Sequence, residues 1–544
     1  MTLLTEPPAG AAGPQVDDDD IRIIEDDIAV VPDAAHWWPR LSVRTALAAA
    51  SCAFLLLYVV IALLRLRHPY EVEWIEGGMV NHVAWLRDGH QLYGPPSLTF
   101  TPDIYTPLYF YVAAALSFVT GINFFTLRLV SFVASLALFL AVGKLARRET
   151  NDRLSALVAA GLLAACYRIG GAWLDIARED TLCLALLFWG LVVARDARNA
   201  KRGVLAGALL SLAFLTKQVA LLPALGIGLF LLVARRGRTT FVSYALTIGV
   251  GIAGTSVVFD RLTDGWYGFY VWDLPAHHEI VGREYTHFFT RDLLLPLAFA
   301  IVVGLAGLWV LRRRSREAVW FHVVVGGALV AAAYSARLHS GGYDNVLLPA
   351  YAEIAVLFGI GVQRVLELPR RTWLGFLAAA ACLLQFAHLV YSPTTQMPTS
   401  ADQRAGDATI EALRNLPQPV YMPGHPWYLE MAGLPPGAQS AAIGDVLRAD
   451  VKGTGKAMAQ ELWTLVEQQR FASIVVDSGT GFSYLPDNLC RYYRPVRPLT
   501  PTGDVVYPRT GTMTGPAEVW LPRTEPGERD CWGVGNWTIG RDGK

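Results

Sequence analysis

Charged residues are scarce in this chain of 544 residues. Asp, Glu, Lys and Arg make up 17% of it, against roughly 25% in soluble domains. Hydrophobic residues make up 53%, and the mean hydropathy is +0.35. This composition excludes a soluble globular enzyme, a disordered chain and a fibrous protein. Lys+Arg and Asp+Glu are equal at 46 each, so no excess of positive charge favours a nucleic-acid partner.

Motifs for nucleotides and metals are also missing. The run Gly453-Thr454-Gly455-Lys456 lacks the spacing and the Ser/Thr of a phosphate-binding loop, and we interpret it as a turn before a helix. No His-Glu-x-x-His motif and no Cys-x-x-Cys pair offers a metal site. We therefore expect no ATP-driven pump and assign no cofactor, while a divalent cation remains possible.

The chain has only six cysteines. Four lie inside apolar runs and are interpreted as packing residues, namely Cys52, Cys166, Cys183 and Cys382. Cys490 and Cys531 lie in the polar C-terminal region. They could form one disulfide if that region faces an oxidising compartment.

Long apolar runs are abundant. A helix needs about 20 mostly apolar residues to cross roughly 30 Å of hydrocarbon. Runs that meet or approach this length predict about eleven spans, near 43–66, 123–145, 152–170, 181–196, 203–216, 218–233, 239–259, 292–311, 318–336, 345–363 and 373–391. A shorter apolar stretch, 105–120, is interpreted as an interfacial or re-entrant helix. The predicted fold class is an all-α polytopic membrane bundle.

Basic residues predict the orientation of this bundle. If 105–120 does not cross, the loops richest in Lys and Arg all lie on one side: those after 123–145, 181–196, 218–233, 292–311 and 345–363. The positive-inside rule makes this side cytoplasmic. We therefore expect a multi-pass protein of the plasma (inner) membrane, with a cytoplasmic N-terminus and an external, periplasmic C-terminal region.

Three regions follow from this division. Residues 1–40 are acidic and poor in packing residues, which predicts a disordered cytoplasmic tail rather than a signal peptide. Residues 41–392 form the transmembrane module, whose first external loop is 67–104. Residues 393–544 are polar and rich in Pro and Gly, and they predict a soluble external domain.

The sequence of the C-terminal region also predicts its fold class. The segment 456–470 has the pattern of a helix, and it leads into an apolar run over 471–477 that reads as a buried strand. A helix followed by a buried strand predicts a small α/β domain.

Acidic and polar side chains collect in the predicted external loops, which are 67–104, 171–180, 260–291 and 337–345. Ionisable residues on one face of a membrane bundle indicate a reaction centre there. Simpler explanations exist for single residues. Glu76 opens an amphipathic stretch, where a carboxylate complements the helix dipole. Asp180 and Asp344 could act only as helix caps.

Basic residues at the same level are candidates for binding a phosphate. Lys217 interrupts two apolar runs, either as a snorkelling lysine at a helix end or as a cation for a lipid phosphate. Arg178, Arg337 and His339 are alternative phosphate partners.

Taken in order, these motifs resemble the GT-C fold glycosyltransferases that use polyprenyl-phosphate sugars, the superfamily of the protein mannosyltransferases and the lipid A aminoarabinose transferase. The resemblance covers about 67–350 and depends on the order and topology of the motifs. They are Glu73-Trp74-Ile75-Glu76-Gly77, Leu86-Arg87-Asp88-Gly89-His90-Gln91-Leu92-Tyr93, Tyr105-Thr106-Pro107-Leu108-Tyr109, Arg178-Glu179-Asp180-Thr181-Leu182, Thr216-Lys217-Gln218 and Gly341-Gly342-Tyr343-Asp344-Asn345 with Leu348-Pro349.

The resemblance implies a reaction and its residues. An acid in the first external loop would deprotonate the acceptor hydroxyl, and the sugar would be transferred with inversion. Many relatives carry Asp where Ile75 stands here, so the base is either Glu76, which the motif favours, or Glu73. The residues expected to bind substrate are Asp103, Tyr105, Arg178, Asp180, Lys217, Arg337, His339, Asp344 and Asn345. Apolar walls that include 105–120 would hold the prenyl chain.

The implied partners are a polyprenyl-phosphate-linked sugar, a glycan, lipid or protein acceptor, and membrane lipid. Three other functions compete with this one. A binding protein with an external sensor domain would leave Glu73 and Glu76 dispensable, with the activity in residues 393–544. A polymerase or ligase of lipid-linked sugars would also work at the external face. A secondary transporter would require polar residues near mid-membrane and two related halves, and the sequence shows no clear internal repeat.

Overall fold

The computed structural model describes residues 38–234, 237–368, 373–479, 484–527, 531 and 538–539. Nearly all of the predicted acidic tail 1–40 lies outside these residues. So do four of the basic residues used to predict orientation, Arg235, Arg236, Arg370 and Arg371. Contacts divide the chain into a short unit, Met1–Thr45, and a large unit, Ala46–Lys544.

The apolar runs form helices, as predicted, because a helix satisfies its own backbone hydrogen bonds in an apolar medium. Each predicted span coincides with one helix or with consecutive helical segments. The helices up to residue 392 are Trp38–Leu66, Glu76–Arg87, Leu108–Thr120, Phe124–Thr150, Arg153–Ala165, Asp180–Arg195, Ala200–Thr216, Gln218–Ala220, Leu221–Val233, Arg238–Ile248, Gly249–Gly254, Thr255–Leu262, Trp266–Gly268, Phe269–Asp273, Leu274–His277, Glu284–His287, Phe288–Leu294, Leu295–Leu311, Arg316–Phe321, His322–Gly326, Gly327–Leu338, Asp344–Leu347, Leu348–Glu367 and Trp373–His388.

Helix length separates clear spans from shorter helices. Within the described ranges, six helices are long and apolar enough to cross a membrane: Val43–Leu66, Phe124–Thr150, Arg238–Leu262, Glu284–Leu311, Arg316–Leu338 and Asp344–Glu367. Trp373–His388 with the bent continuation Pro393–Arg414 would add a seventh. Leu108–Thr120 has 13 residues and is about 20 Å long, which suits the predicted interfacial helix. The count of eleven spans and their orientation stay predictions.

The C-terminal region contains the predicted sheet. The strands are β1 Val420–Tyr421, β2 Ser473–Gly479, β3 Leu485–Pro486, β4 Tyr493–Pro498, β5 Thr514–Pro522 and β6 Thr538–Ile539. The main sheet has the order β1-β2-β5-β4, with β1 parallel to β2 and the other pairs antiparallel, and β3 pairs with β6. Its helices are Pro393–Gln396, Ser400–Arg414, Pro426–Met431, Ser440–Ala449, Val451–Gly453, Thr454–Glu467 and Leu489–Tyr492.

Two predictions for this region are confirmed. The helix Thr454–Glu467 leads into β2, as the segments 456–470 and 471–477 predict. Cys490 and Cys531 form a disulfide, which ties the end of the described chain to the helix before β4.

The C-terminal domain packs against the first loop of the membrane module. Met79 and Val83 of the helix Glu76–Arg87 share one hydrophobic core with Trp427 and Tyr428 of the domain. Gly78 makes this close approach possible, since a Cβ there would lie 2.6 Å from Cγ of Gln439. The domain therefore lies directly on the loop that carries the predicted catalytic acid.

Candidate active site

Glu73 is a buried carboxylate with an incomplete set of partners. Its side chain has 0% exposure, and its Oε2 accepts a hydrogen bond from the backbone N–H of Ile75 at 3.1 Å. In the described part of the chain, Oε1 has no hydrogen-bond partner. Burial raises the pKa of Glu73 to about 8, although the Arg178 guanidinium opposes this shift. Glu73 can therefore exchange a proton near neutral pH.

Arg178 connects this carboxylate to the next groups. Its Nη1 lies 3.5 Å from Oε2 of Glu73, and its Nε lies 3.4 Å from Oε2 of Glu179. Its Nη2 donates a hydrogen bond of 2.7 Å to the Tyr105 hydroxyl. Arg178 lies in the irregular segment before the helix Asp180–Arg195, which turns its side chain back toward the first loop.

Lys217 continues the network on the other side of Tyr105. Its Nζ donates to Glu179 at 2.8 Å and to Asp180 at 2.6 Å, and it lies 4.9 Å from the centre of the Tyr105 ring. Asn345 donates a hydrogen bond of 3.0 Å to Asp180. One network thus joins Glu73 to Asn345 through two cations.

A cleft opens at the Lys217 end of this network. It is small, with a cavity volume of about 20 Å³, and it is lined by Asp180, Cys183, Leu184, Lys217, Val219, Ala336, Asn345, Val346 and Pro349. Lys217 contributes a side chain that is 13% exposed. The lining is apolar apart from three polar groups, a composition typical of small-molecule sites.

Asp103 lies beside the same network. Its backbone N–H donates to Nε2 of His82 at 2.9 Å, and its Oδ2 has no hydrogen-bond partner among the described residues. Burial raises the pKa of Asp103, while His82 and Arg178 oppose the shift. It is a second acid with a free oxygen near Arg178.

Glu76 is held differently, in a complete ion pair. Arg128 donates from Nη2 and Nε to the Glu76 carboxylate at 2.5 and 2.9 Å. The backbone N–H groups of Val72 and Ala177 donate to it at 2.8 and 2.7 Å. Burial alone would raise the pKa of Glu76, but Arg128 and these hydrogen bonds together lower it. This geometry favours a structural role for Glu76.

Arg337 and Asp344 lie in a separate ion cluster. Arg337 donates two hydrogen bonds to Asp292, at 2.8 and 3.2 Å. Its Nη1 lies 3.5 Å from Asp344, and its Nε lies 3.6 Å from Glu284. The three carboxylates around this guanidinium stabilise the junction of the helices that carry them. In the described part of the chain, no contact joins this cluster to Glu73 or Lys217.

His339 lies in a loop paired with another loop, where it forms a bridge with Ile280. It is close enough to His278 to lower the pKa of that imidazole slightly, after the larger effects of burial, Asp445 and Arg448.

The structure thus joins Glu73, Tyr105, Arg178, Asp180, Lys217 and Asn345 in one network. It places Asp103 beside this network and His339 in a neighbouring loop pair.

Several buried ionic groups are missing from the predicted set. Arg65 donates at 3.0 Å to both Asp175 and the carbonyl of Ala172, which fixes the loop before Arg178. Arg128 holds Glu76, and Glu179 lies between Arg178 and Lys217. The sequence contained a signal for both arginines, because each lies within an apolar run, where a charge requires a partner.

A metal site is not evident among the described residues. No group of three or more His, Cys, Asp or Glu side chains is arranged to hold a metal ion in the described ranges. The divalent cation that the sequence leaves possible is therefore assigned no ligands.

A comparison with protein families matches residues 103–259 to a family model described as dolichyl-phosphate-mannose-protein mannosyltransferase. This segment is less than a third of the chain. It includes Asp103, Tyr105, Arg178 and Lys217, and it does not include Glu73. A comparison with curated protein sequences finds no match.

Solved structures show the fold. The chain is similar to ArnT from Cupriavidus metallidurans bound to undecaprenyl phosphate, with 14% identity, a TM-score of 0.50, and coverage of 71% of this chain and 84% of that chain. The oligosaccharyltransferase from Archaeoglobus fulgidus in its apo form has 15% identity, a TM-score of 0.47, and coverage of 81% and 70%. The predicted resemblance to the GT-C fold proteins is confirmed.

Proposed function

Because the chain is a membrane protein with the GT-C glycosyltransferase fold, we propose that it transfers a sugar from a polyprenyl phosphate to an acceptor hydroxyl. The reaction takes place at the external face of the membrane, in the network between Glu73 and Lys217. It is a single displacement that inverts the configuration at the anomeric carbon.

The observation that carries this proposal is the state of Glu73. A general base works best when its pKa lies near the working pH, and burial brings the pKa of Glu73 to about 8. Its Oε1 has no hydrogen-bond partner in the described part of the chain, so it can accept the proton of a hydroxyl. Glu76 has neither property, and we therefore assign the base to Glu73.

Lys217 and Arg178 are the cations proposed to bind the phosphate of the donor. A lysine ammonium has three N–H donors, and Lys217 directs two of them to Glu179 and Asp180. The third would serve a phosphate oxygen in the cleft. Arg178 lies between this position and Glu73, and its fixed charge would offset the negative charge that develops on the leaving phosphate.

The step balances without a further reactant. Glu73 takes the proton from the acceptor hydroxyl as its oxygen forms a bond to the anomeric carbon. The bond from that carbon to the phosphate oxygen breaks, and its electron pair stays on the lipid phosphate. The products are the glycosylated acceptor and polyprenyl phosphate.

The experiment is to incubate membranes containing the protein with undecaprenyl-phosphate-linked hexoses and pentoses and to follow each lipid by mass spectrometry. We expect one donor to be converted to undecaprenyl phosphate. Membranes without the protein provide the background rate, and membranes that contain the Glu73→Gln protein are compared with it. Consumption of a lipid diphosphate donor alone, with release of lipid diphosphate, would instead indicate a polymerase or ligase.

The rate of this reaction is expected to rise with pH. Glu73 must be ionised to accept a proton, and its pKa of about 8 makes it largely protonated at pH 6.5. The rate should therefore increase roughly tenfold per pH unit below pH 8 and level off above it. The measurement is the initial rate of donor consumption at saturating donor between pH 6 and 9.5, with donor binding measured across the same range. A flat profile would assign the proton transfer to another group.

A further inference from the structure

The C-terminal domain holds the segment 71–74, which carries Glu73, on one side. The backbone N–H of Glu71 donates to the Tyr428 hydroxyl at 3.1 Å. The Gln439 side chain donates from Nε2 to the carbonyl of Trp74 at 3.0 Å. The first and the last residue of the segment, Glu71 and Trp74, are thus each held by a side chain of the domain.

A second part of the domain holds the same segment from another direction. The backbone N–H groups of Arg509 and Thr510 both donate to the carbonyl of Val72 at 2.9 Å, and the Thr510 hydroxyl donates to the carbonyl of Gly171. Gly511 then passes directly over Glu73, where a Cβ would lie 2.9 Å from Oε1. Its φ of +76° is a second reason for glycine.

A buried polar contact joins the domain to Glu71. Nδ1 of His425 is hydrogen-bonded to Oε2 of Glu71, and its Nε2 lies 3.8 Å from Oδ2 of Asp477. Burial lowers the pKa of His425 and raises the pKa of both Glu71 and Asp477. Burying polar groups costs free energy unless they are hydrogen-bonded. This hydrogen bond joins the domain to the residue two positions before Glu73.

We propose that the C-terminal domain positions Glu73, with Tyr428 and Thr510 as positioning residues. The proposal rests on the proposed function, in which Glu73 is the base. A general base must lie within hydrogen-bond reach of its proton, and a shift of about 1 Å at a reacting group costs about 10²-fold in rate. Residues 71–74 form no regular element of their own that could supply this accuracy.

The test compares two matched double variants of the full-length protein. In the test variant, Tyr428→Phe removes the hydroxyl that accepts from the N–H of Glu71. Thr510→Val removes the hydroxyl that donates to the carbonyl of Gly171 and keeps the backbone N–H that donates to Val72. Tyr493→Phe with Thr500→Val removes two buried hydroxyls of the same domain, which bond to the carbonyls of Phe471 and Asp504 instead. Both variants keep side-chain shape. The control loses three hydrogen bonds and the test variant two, because the Tyr493 hydroxyl also accepts from the N–H of Phe471 at 3.2 Å, so a general loss of domain stability should affect the control at least as much.

The first readout is hydrogen exchange of the backbone amides of residues 70–76 in detergent, which does not depend on catalysis. We expect exchange to be about tenfold faster in the Tyr428/Thr510 variant than in the Tyr493/Thr500 variant. Equal exchange in the two variants would overturn the proposal.

The second readout separates kcat from KM, with the undecaprenyl-phosphate sugar that the wild type consumes. The Tyr428/Thr510 variant should lose about tenfold or more in kcat while KM for the donor stays within twofold. Faster exchange with an unchanged kcat, in a protein that Glu73→Gln inactivates, would overturn the positioning role alone. An active Glu73→Gln protein would overturn the proposed function of Glu73, whatever the exchange result.

Discussion

Replacing Glu73 by Gln is expected to lower the rate of sugar transfer by about 10² to 10⁴-fold, the usual contribution of a general base. The amide keeps the shape of the side chain but cannot accept a proton from a hydroxyl at neutral pH. The folded protein should be as stable as the wild type or more so, since a buried carboxyl with raised pKa is replaced by a neutral group. Single-turnover donor consumption and thermal unfolding measure the two effects separately.

The matched control is Glu353→Gln. Glu353 is also a buried carboxylate, bonded to His322 at 2.7 Å, and it lies eight residues beyond Asn345 along the helical segment, about 12 Å away. It should retain the transfer rate. If Glu73→Gln retained it as well, the base would have to be sought at Asp103, whose Oδ2 has no partner among the described residues.

The membrane part could be predicted from apolar runs alone. The short segment 105–120 is distinguished from the spans by its length and by the distribution of Lys and Arg among the loops, and the structure forms a 13-residue helix there. The helix and strand around 456–477 were likewise predicted from local pattern. These features depend on local hydrophobicity and period, which the sequence displays directly.

The choice between Glu73 and Glu76 could not be predicted in this way. Both lie in one short motif, and the motif alone favoured Glu76. The difference arises from Arg128, which is 52 residues further along the chain and pairs with Glu76. A contact over that distance depends on how the helices pack. The motif therefore predicts the loop, and the proposed choice of Glu73 over Glu76 rests on packing that the motif does not contain.

The contacts of Thr510 and Gly511 with the segment around Glu73 could not be predicted from the sequence either. Thr510 and Gly511 lie more than 430 residues from Glu73 in the chain and belong to a domain whose role the sequence left open. Their contacts with Val72 and Glu73 follow only from the packing of that domain on the first loop. Arg65 and Arg128, in contrast, could have been found as charges in apolar runs.

Replacing Arg128 by Met is expected to have the largest effect on folding. Arg128 is fully buried, and it donates to the carbonyls of Arg65, His68 and Tyr70 as well as to Glu76. Its loss leaves a buried carboxylate without a cation, which costs about 3–5 kcal/mol. The variant should accumulate poorly in membranes, and the purified protein should unfold at a markedly lower temperature.

The double variant Arg128→Met with Glu76→Gln should recover part of this stability, because the uncompensated charge is removed together with its cation. Glu76→Gln alone should also destabilise the protein, because the amide has one oxygen and its NH2 group must face either the donors at Oε1, from Arg128 and Ala177, or those at Oε2, from Arg128 and Val72. It also leaves the buried Arg128 cation without a counter-charge. Thermal unfolding of the four proteins gives the coupling between the two side chains. A stable Glu76→Gln protein with no transfer activity would contradict the structural role of Glu76 and return the base to the position that the motif favours.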